Sequence, residues 1–534
     1  MISTGNRVFW RNYHFGQLAC AVAALCVPAA LCAETLADAV AAAYDRNPQL
    51  VQQRYLQKAR DEQFVQARSQ YGPTITAETS GNIHSTWQTG FSQTDKLQQS
   101  SVSISQPLYT SGRIRGQVAA AKAGVLGGQE QLRLTEQQVV QDVIFVYAAV
   151  LRDQARLDIG RENVEVLEGQ LRQNSKRQQV GDVTLTDVAQ SDARLAAAQL
   201  QLANLEASLA ISRGQYLEVV GHNPGKLEPL PQLGSVPPTL DAAFDLAEQN
   251  NPSFLAAGYV EQQSSATAAA ARGEQGPTLT INGEGRYTND LMRFGWKSGR
   301  REAIGGFTLS QPIFSGGAVR SRIREADARN RADQAGIDIA RRTALQSVTS
   351  AWAQLSSSRT AVTTGERQVN SAQQAFAGMS CEELNGLRST IETLNAEQEL
   401  QNAQLQLIQN RYQVYVAHAQ LLAAVGNLSA QTIADNITVY DPEANFIRIR
   451  YSGLNPFGLV AAGLDRIGSA GPRGPISPDL AGANVPRPEN SGPIAPSPAR
   501  DTLNRKLTPM TQSQLKLPNG DTARCPLADV GPRR

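Results

Sequence analysis

Hydrophobic positions along the chain follow two periods, and each period occurs twice. In one stretch Ile75, Ala77, Thr79, Gly81 and Ile83 fall on one face, while Thr74, Thr76, Glu78, Ser80, Asn82 and His84 fall on the other. Val102 and Ile104 then alternate with Ser101, Ser103 and Ser105. Leu279, Ile281 and Tyr287 alternate with Thr278, Thr280, Asn282, Glu284 and Arg286, and Phe307 and Leu309 with Thr308 and Ser310. A period of two predicts strands with one apolar and one polar face. Segments of about ten residues rich in Ser, Thr and Gly fit a membrane barrel with a wet interior, although a soluble sandwich alternates in the same way. The second period is the heptad. Val143, Val146, Val150, Leu157, Val164, Leu167 and Leu171 follow it, interrupted by Asp153 and Gly160. A further heptad runs Val188, Leu195, Ala198, Leu202, Leu205, Leu209, Tyr216, Val219, and its counterpart Leu400, Ala403, Leu407, Val414, Ala417, Leu421, Ala424. Sustained heptads predict long helices packed side by side. No proline interrupts the windows between Pro107 and Pro224 or between Pro312 and Pro442. A helix from Arg113 to near Arg177 would reach roughly 100 Å.

The order of these elements repeats. Thr35-Leu36 followed by Asn47-Pro48 recurs as Thr239-Leu240 followed by Asn251-Pro252. Gly72-Pro73-Thr74-Ile75-Thr76 recurs as Gly276-Pro277-Thr278-Leu279-Thr280, and Ser105-Gln106-Pro107-Leu108-Tyr109 as Ser310-Gln311-Pro312-Ile313-Phe314. Tyr147 matches Trp352, and Gly221 matches Gly426. Landmarks that hold register over such a distance indicate an internal duplication. The chain divides into a leader at 1–33, a first repeat at 34–222, a linker at 223–238, a second repeat at 239–428 and a C-terminal segment at 429–534. Each repeat orders a short helix, a helix capped by Asn with Pro at its first position, a strand pair and a long helical hairpin. The last segment from 441 carries 14 of the 26 prolines and reads as a mostly disordered tail.

Composition removes most other classes. The net charge is +2, with 18% charged and 41% hydrophobic residues, so nothing suggests a nucleic-acid partner. Arg7 and Arg11 precede an apolar run from Leu18 to Ala33, the pattern of a secretory signal cleaved before Glu34. The run is shorter than the roughly 20 residues of a membrane span, and Leu31 before Cys32 fits a lipoprotein site poorly. Three of the five cysteines lie in that segment, leaving Cys381 and Cys525, which is neither a disulfide scaffold nor a zinc site. The four histidines show no ligand spacing, Gly283-Glu284-Gly285 lacks a third glycine, and no nucleophile–base set is present. No enzyme and no cofactor are expected.

Four strands cannot close a barrel, for which about eight is the minimum. An open sheet edge in lipid leaves backbone groups unpaired at several kcal/mol each. A membrane-spanning form must therefore be oligomeric. The helices are too long and too polar for the bilayer and must project into water. The fold class read from the sequence is mainly α with membrane β, in two tandem repeats.

Over residues 34–440 the chain resembles the TolC family of outer-membrane efflux proteins. The resemblance is carried by Gln106-Pro107-Leu108-Tyr109 to Gly112, by its twin Gln311-Pro312-Ile313-Phe314 to Gly317, and by Gly386-Leu387-Arg388 leading to Leu394-Asn395-Ala396. It implies a homotrimer with a twelve-stranded barrel in outer-membrane lipid on a twelve-helix periplasmic tunnel. It implies docking to a periplasmic adaptor (membrane fusion) protein and an inner-membrane ABC or proton-driven transporter, as in tripartite efflux or type I secretion. It places the barrel–tunnel junction at Pro107 and Pro312, where proline suits the change from strand to helix. It places the helix-turn tips at Gly181 and Gly386. Asp187 then matches an acidic gate residue and Arg388 a gating arginine, the two expected to pair, while Glu392 and Asn395 fall where two aspartates often ring the pore. Neutral Asn395, and Glu383 in place of a tyrosine, depart from that pattern. A periplasmic coiled-coil adaptor or structural protein is the alternative; an adaptor is expected to lack the paired strands.

Overall fold

The computed structural model describes residues 33–291, 299–434, 437–452, 456–467 and 487. All but the last residue of the expected leader, and most of the expected tail, lie outside the described residues. The first half of the fold comprises α1 (Leu36–Arg46), α2 (Pro48–Ser69), β1 (Thr74–Gln88), β2 (Phe91–Tyr109), α3 (Arg113–Gln179) and α4 (Leu185–Val220). The second comprises α5 (Leu240–Asn250), α6 (Pro252–Gly273), β3 (Thr278–Asp290), β4 (Arg300–Ser310), α7 (Ala318–Leu384) and α8 (Thr390–Ala424). Helices α1 and α5 have 11 residues each, α2 and α6 have 22, α3 and α7 have 67, and α4 and α8 have 36 and 35. A 67-residue helix is about 100 Å long. Among the described residues no helix is long and apolar enough to cross a membrane.

The Asn-Pro pair joins helices end to end. Asn47 Oδ1 accepts from Gln49 N at 2.9 Å, capping α2, and its Nδ2 donates to Val219 O at 3.1 Å in the last turn of α4. Asn251 does the same, accepting from Ser253 N at 3.0 Å and donating to Ala424 O at 2.9 Å. One side chain thus satisfies an orphan donor at the start of one helix and an orphan acceptor at the end of another. This stacks α2 on α4 and α6 on α8, alongside the uninterrupted α3 and α7.

The heptad interruptions have structural causes. A Cβ on Gly160 of α3 would lie 2.6 Å from Leu205 Cδ1, so glycine makes room for the α4 leucine. Asp153 is buried and held by Arg152 at 2.7 Å, whose guanidinium stacks 4.6 Å from the Tyr412 ring of α8. Higher up, a Cβ on Gly116 would meet the Ala270 backbone N at 2.6 Å, so α3 and α6 touch backbone to backbone. Two apolar cores fill the hairpins, one around Tyr147 and Tyr216, the other around Trp352 and Phe244.

The four strands form one antiparallel sheet in the order β1-β2-β3-β4. Its register matches apolar to apolar across strands: Ile75 with Ile104, Ala77 with Val102, Leu279 with Leu309, and Ile281 with Phe307. Such cross-strand pairs fix register, because a slip by one residue moves every side chain to the other face. On the opposite face Thr76 pairs with Ser103, and Glu284 pairs with Ser103 and with Ile304. Strands β1 and β4 are the two edges.

The strand-to-helix junction differs from the expectation built on proline. Pro107 lies inside β2, paired with Thr280 next to a register shift and past the last residue paired with β1. The bend comes later, at Ser111 (φ +54°) and Gly112 (φ +79°). In the second half Pro312 follows the end of β4, and Gly316 (φ +61°) and Gly317 (φ +85°) make the bend. Proline has no N–H to give the ladder, in keeping with pairing to β1 stopping at Ser105 and β4 stopping at Ser310, whereas reversing the backbone needs positive φ, which proline's ring forbids.

Part of the expected tail is ordered. Residues Pro442–Ile449 form α9 and Pro456–Leu464 form α10. Each opens on a proline, which is well placed at a helix start rather than a breaker there. Phe446 of α9 packs edge-on against Phe64 at 5.1 Å, and Asn445 donates to Asp61 at 2.7 Å, so α9 lies along α2. Arg487 reaches back to Asp245 at 2.8 Å. Cys381, in the last turn of α7, is disulfide-bonded, and the other four cysteines lie outside the described residues.

Candidate functional site at the hairpin tips

Both hairpins turn through the same local structure. Helix α3 ends with Asp182 N donating to Arg177 O at 2.9 Å and Gly181 at φ +81°. Helix α7 ends with Leu387 N donating to Glu382 O at 2.9 Å and Gly386 at φ +70°. This is the glycine-dependent Schellman ending, which satisfies the last carbonyls and reverses the chain. Val180, Leu185, Leu384 and Leu387 are exposed around the two turns, an apolar surface at the end of a polar structure.

The returning helices begin with capping boxes. Thr184 Oγ1 accepts from Asp187 N at 3.2 Å, while Asp187 Oδ2 accepts from Thr184 N at 2.9 Å and from its hydroxyl at 2.7 Å. These bonds, with the nearby Arg177 charge, hold the Asp187 carboxyl below its ordinary pKa. Ser389 and Glu392 form the equivalent box, with Glu392 Oε2 accepting from Ser389 N and Oγ at 3.0 Å. The Ser389 bonds, and then Arg388, lower the Glu392 pKa. Arg388 contacts Glu382 at 2.9 Å and Glu392 at 3.1 Å, both in its own hairpin, and these bonds raise its pKa. The expected Arg388–Asp187 pair is therefore absent within the chain. Each acid is already used by the N-terminus of its own helix.

Other residues connect the two hairpins. Arg177 Nη1 lies 3.8 Å from Glu383 Oε1, while its Nε donates to Asp182 at 2.7 Å. Glu383 Oε1 also accepts from Thr390 Oγ1 at 3.0 Å. One turn deeper Arg194 of α4 donates to Asn395 Oδ1 of α8 at 2.7 Å. Leu394 packs on Leu167 and Ala198 beneath these contacts. Of the four residues singled out from sequence, only Asn395 joins the hairpins. Arg177 and Arg194 are not marked by any sequence pattern, since their partners lie 201 or more residues away.

Glu397 was also missed. It lies on α8 one turn past Leu394, is 6% exposed, and its Oε2 has no hydrogen-bond partner. Burial alone pushes its pKa up to about 8. The heptad read for α8 marks the seam facing α7, and Glu397 lies off that seam, one turn from Leu394, which packs on the first hairpin. Among the described residues no cluster of His, Cys, Asp and Glu has the makings of a metal site.

The sequence pattern of the outer membrane efflux protein family matches residues 39–222 and 243–427. The outer membrane efflux protein BepC of Brucella suis is 27% identical over 423 residues, covering 79% of this chain and 92% of BepC. The outer membrane protein TolC of Vibrio cholerae is 26% identical over 414 residues, covering 76% of this chain and 94% of TolC. The CmeC outer membrane channel of Campylobacter jejuni has a similar fold, with a TM-score of 0.68 at 16% identity over 79% of this chain and 90% of CmeC.

Proposed function

Because this chain belongs to the outer membrane efflux protein family, we propose that it is a protomer of a trimeric conduit that carries substrates out through the outer membrane. It lies in the outer membrane of a Gram-negative bacterium, with its helices in the periplasm. The observation that carries the reading is the sheet: four strands with two unpaired edges, continuous with 67-residue helices. Joining β4 of one copy to β1 of the next would satisfy both edges, and three copies supply twelve strands. The matched helix lengths support two tandem repeats at 34–222 and 239–428, each contributing a third of a half-cylinder, with the linker at 223–238 between them. The aligned apolar face then meets lipid, and Thr76, Glu78, Thr280 and Glu284 line water. An adaptor or a plain coiled coil has no use for such a sheet.

The tips form the periplasmic end. Their exposed apolar residues suit a periplasmic adaptor, which in turn connects to an inner-membrane transporter of the tripartite efflux or type I secretion kind. We assign the closure of the entrance to contacts between hairpins, Arg177–Glu383 and Arg194–Asn395, and give Asp187, Arg388 and Glu392 the role of shaping the tips. Separating the hairpins breaks the first set and leaves the second intact. A partly exposed pair contributes only about 0.2–1 kcal/mol, so one copy is a weak latch and three symmetric copies together bias opening severalfold. Single-channel recording in planar bilayers tests this. The double variant Arg177→Ser with Arg194→Ser should conduct severalfold more than wild type, and Arg388→Ser by itself much less so. Wild-type conductance in the double variant would place the closure elsewhere.

A further inference from the structure

Helix α10 is packed the wrong way round for a helix in water. Its buried face is Gly458, Ala461, Ala462 and then Asp465, at the spacing of one helical stripe. Its outward face carries Phe457 (64% exposed), Leu459 (60%), Val460 (58%) and, just beyond the helix, Ile467 (66%). Small residues are turned in and large apolar residues out. Water disfavours that arrangement, whereas helices in lipid adopt it, since small residues allow close packing and the bilayer accepts the large ones.

The seat of α10 fixes where that face points. Asp465 is 0% exposed and accepts from Thr110 N at 2.7 Å, Gly112 N at 3.0 Å and Tyr71 OH at 3.1 Å. This pins the helix to the bend between β2 and α3, at the periplasmic end of the sheet. The apolar face of β2 runs Val102, Ile104, and then Gln106, whose Nε2 donates to Tyr71 O at 2.8 Å. Tyr71 packs with Ala461 and Ile114. The outward face of α10 therefore continues from the margin of the apolar sheet face. Charge agrees with an anionic surface. The charged residues nearest α10 in the sequence are Arg448, Arg450 and Arg466, while Asp465 is buried and the acids Asp441 and Glu443 lie at the far end of α9. Tyr451 is exposed beside Arg450, an aromatic of the kind that favours the membrane–water interface.

We infer that α10 is an interfacial helix whose Phe457–Leu459–Val460 face lies in the periplasmic leaflet of the outer membrane, against phospholipid, at the foot of the barrel. The inference rests on the membrane placement of the sheet. It adds a lipid contact outside the barrel strands, held to the barrel by Asp465.

The test uses the full-length protein in phosphatidylethanolamine–phosphatidylglycerol vesicles. An environment-sensitive fluorophore is attached at Leu459→Cys and, separately, at Val460→Cys. The readouts are quenching by brominated acyl chains and by aqueous iodide. Brominated lipid should lower the emission at both positions at least twofold, with iodide having little effect. Iodide quenching equal to that of a label at Val180→Cys on the tips would overturn the proposal. Protection from both quenchers would also overturn it, since the face would then be covered by protein. A label at Ile75→Cys reports separately on the barrel. Its outcome tests the register of the strands, and the outcome at 459 and 460 decides α10 in either case.

Discussion

Replacing Asp465 with alanine is expected to release α10 from the base of the sheet. The carboxylate accepts from two backbone N–H groups, at Thr110 and Gly112, and from the hydroxyls of Thr110 and Tyr71. Helix α3 begins after Gly112, which has no side chain to cap it; Thr110 Oγ1 accepts from Ile114 N at 3.3 Å, and Asp465 in turn holds that hydroxyl and the Gly112 N–H. Removing it leaves buried donors unpaired, at about 1–3 kcal/mol, and removes a negative charge from a helix N-terminus, at about 0.3–2 kcal/mol. Together about 3 kcal/mol raises the detached population roughly a hundredfold, at 1.4 kcal/mol per factor of ten. Trypsin cleavage at Arg448, Arg450 and Arg466 should speed up by more than tenfold, together with hydrogen exchange over 110–118. Asp465→Asn keeps one acceptor oxygen and should fall between. Unchanged cleavage in Asp465→Ala would mean that α10 is held by its small-residue face alone.

Glu397→Gln should stabilise α8 near the tips in a pH-dependent way. The folded pKa is raised to about 8 by burial, whereas an unfolded glutamate titrates near 4.3. Below the lower value both states are protonated and the carboxyl costs nothing. Between the two, the folded state holds a proton that the open state has lost, so stability falls as pH rises and levels off above the folded pKa. Glutamine is neutral throughout and removes that fall. The difference between variant and wild type should be near zero at pH 4 and reach up to about 3.5 kcal/mol by pH 7. Hydrogen exchange of α8 amides around 397, corrected for intrinsic rates, reads it as slower opening in the variant at high pH only. A pH-independent difference would show that packing, not ionisation, separates the two side chains.

What the sequence made legible follows from which forces are periodic. The strand faces could be read because Ile75, Ile104, Ile281 and Phe307 alternate with polar residues and pair across strands in one register. The tips could be read because a helix that reverses direction uses glycine at positive φ, and Gly181 and Gly386 occupy those positions. Long-range polar contacts leave no such trace. Nothing near Arg177 in the sequence names Glu383, and Arg194 meets Asn395 from 201 residues away. Arg388 and Asp187 are charges beside the turns, and within the chain local capping groups and acids compete for the same atoms. Helix α10 was hidden for a different reason. Its one proline and two glycines resemble a disordered tail, and its meaning depends on Asp465 meeting Thr110, 355 positions earlier.

In the proposed assembly the sheet is a third of a barrel, completed only by other copies of the chain. Native mass spectrometry of protein extracted from outer membranes in mild detergent tests it most directly. A dominant species at three times the mass of the mature chain is expected, with little monomer until the detergent denatures it. A monomer that persists in the mildest conditions and still partitions with the outer membrane would contradict it, because β1 and β4 would then face lipid unpaired.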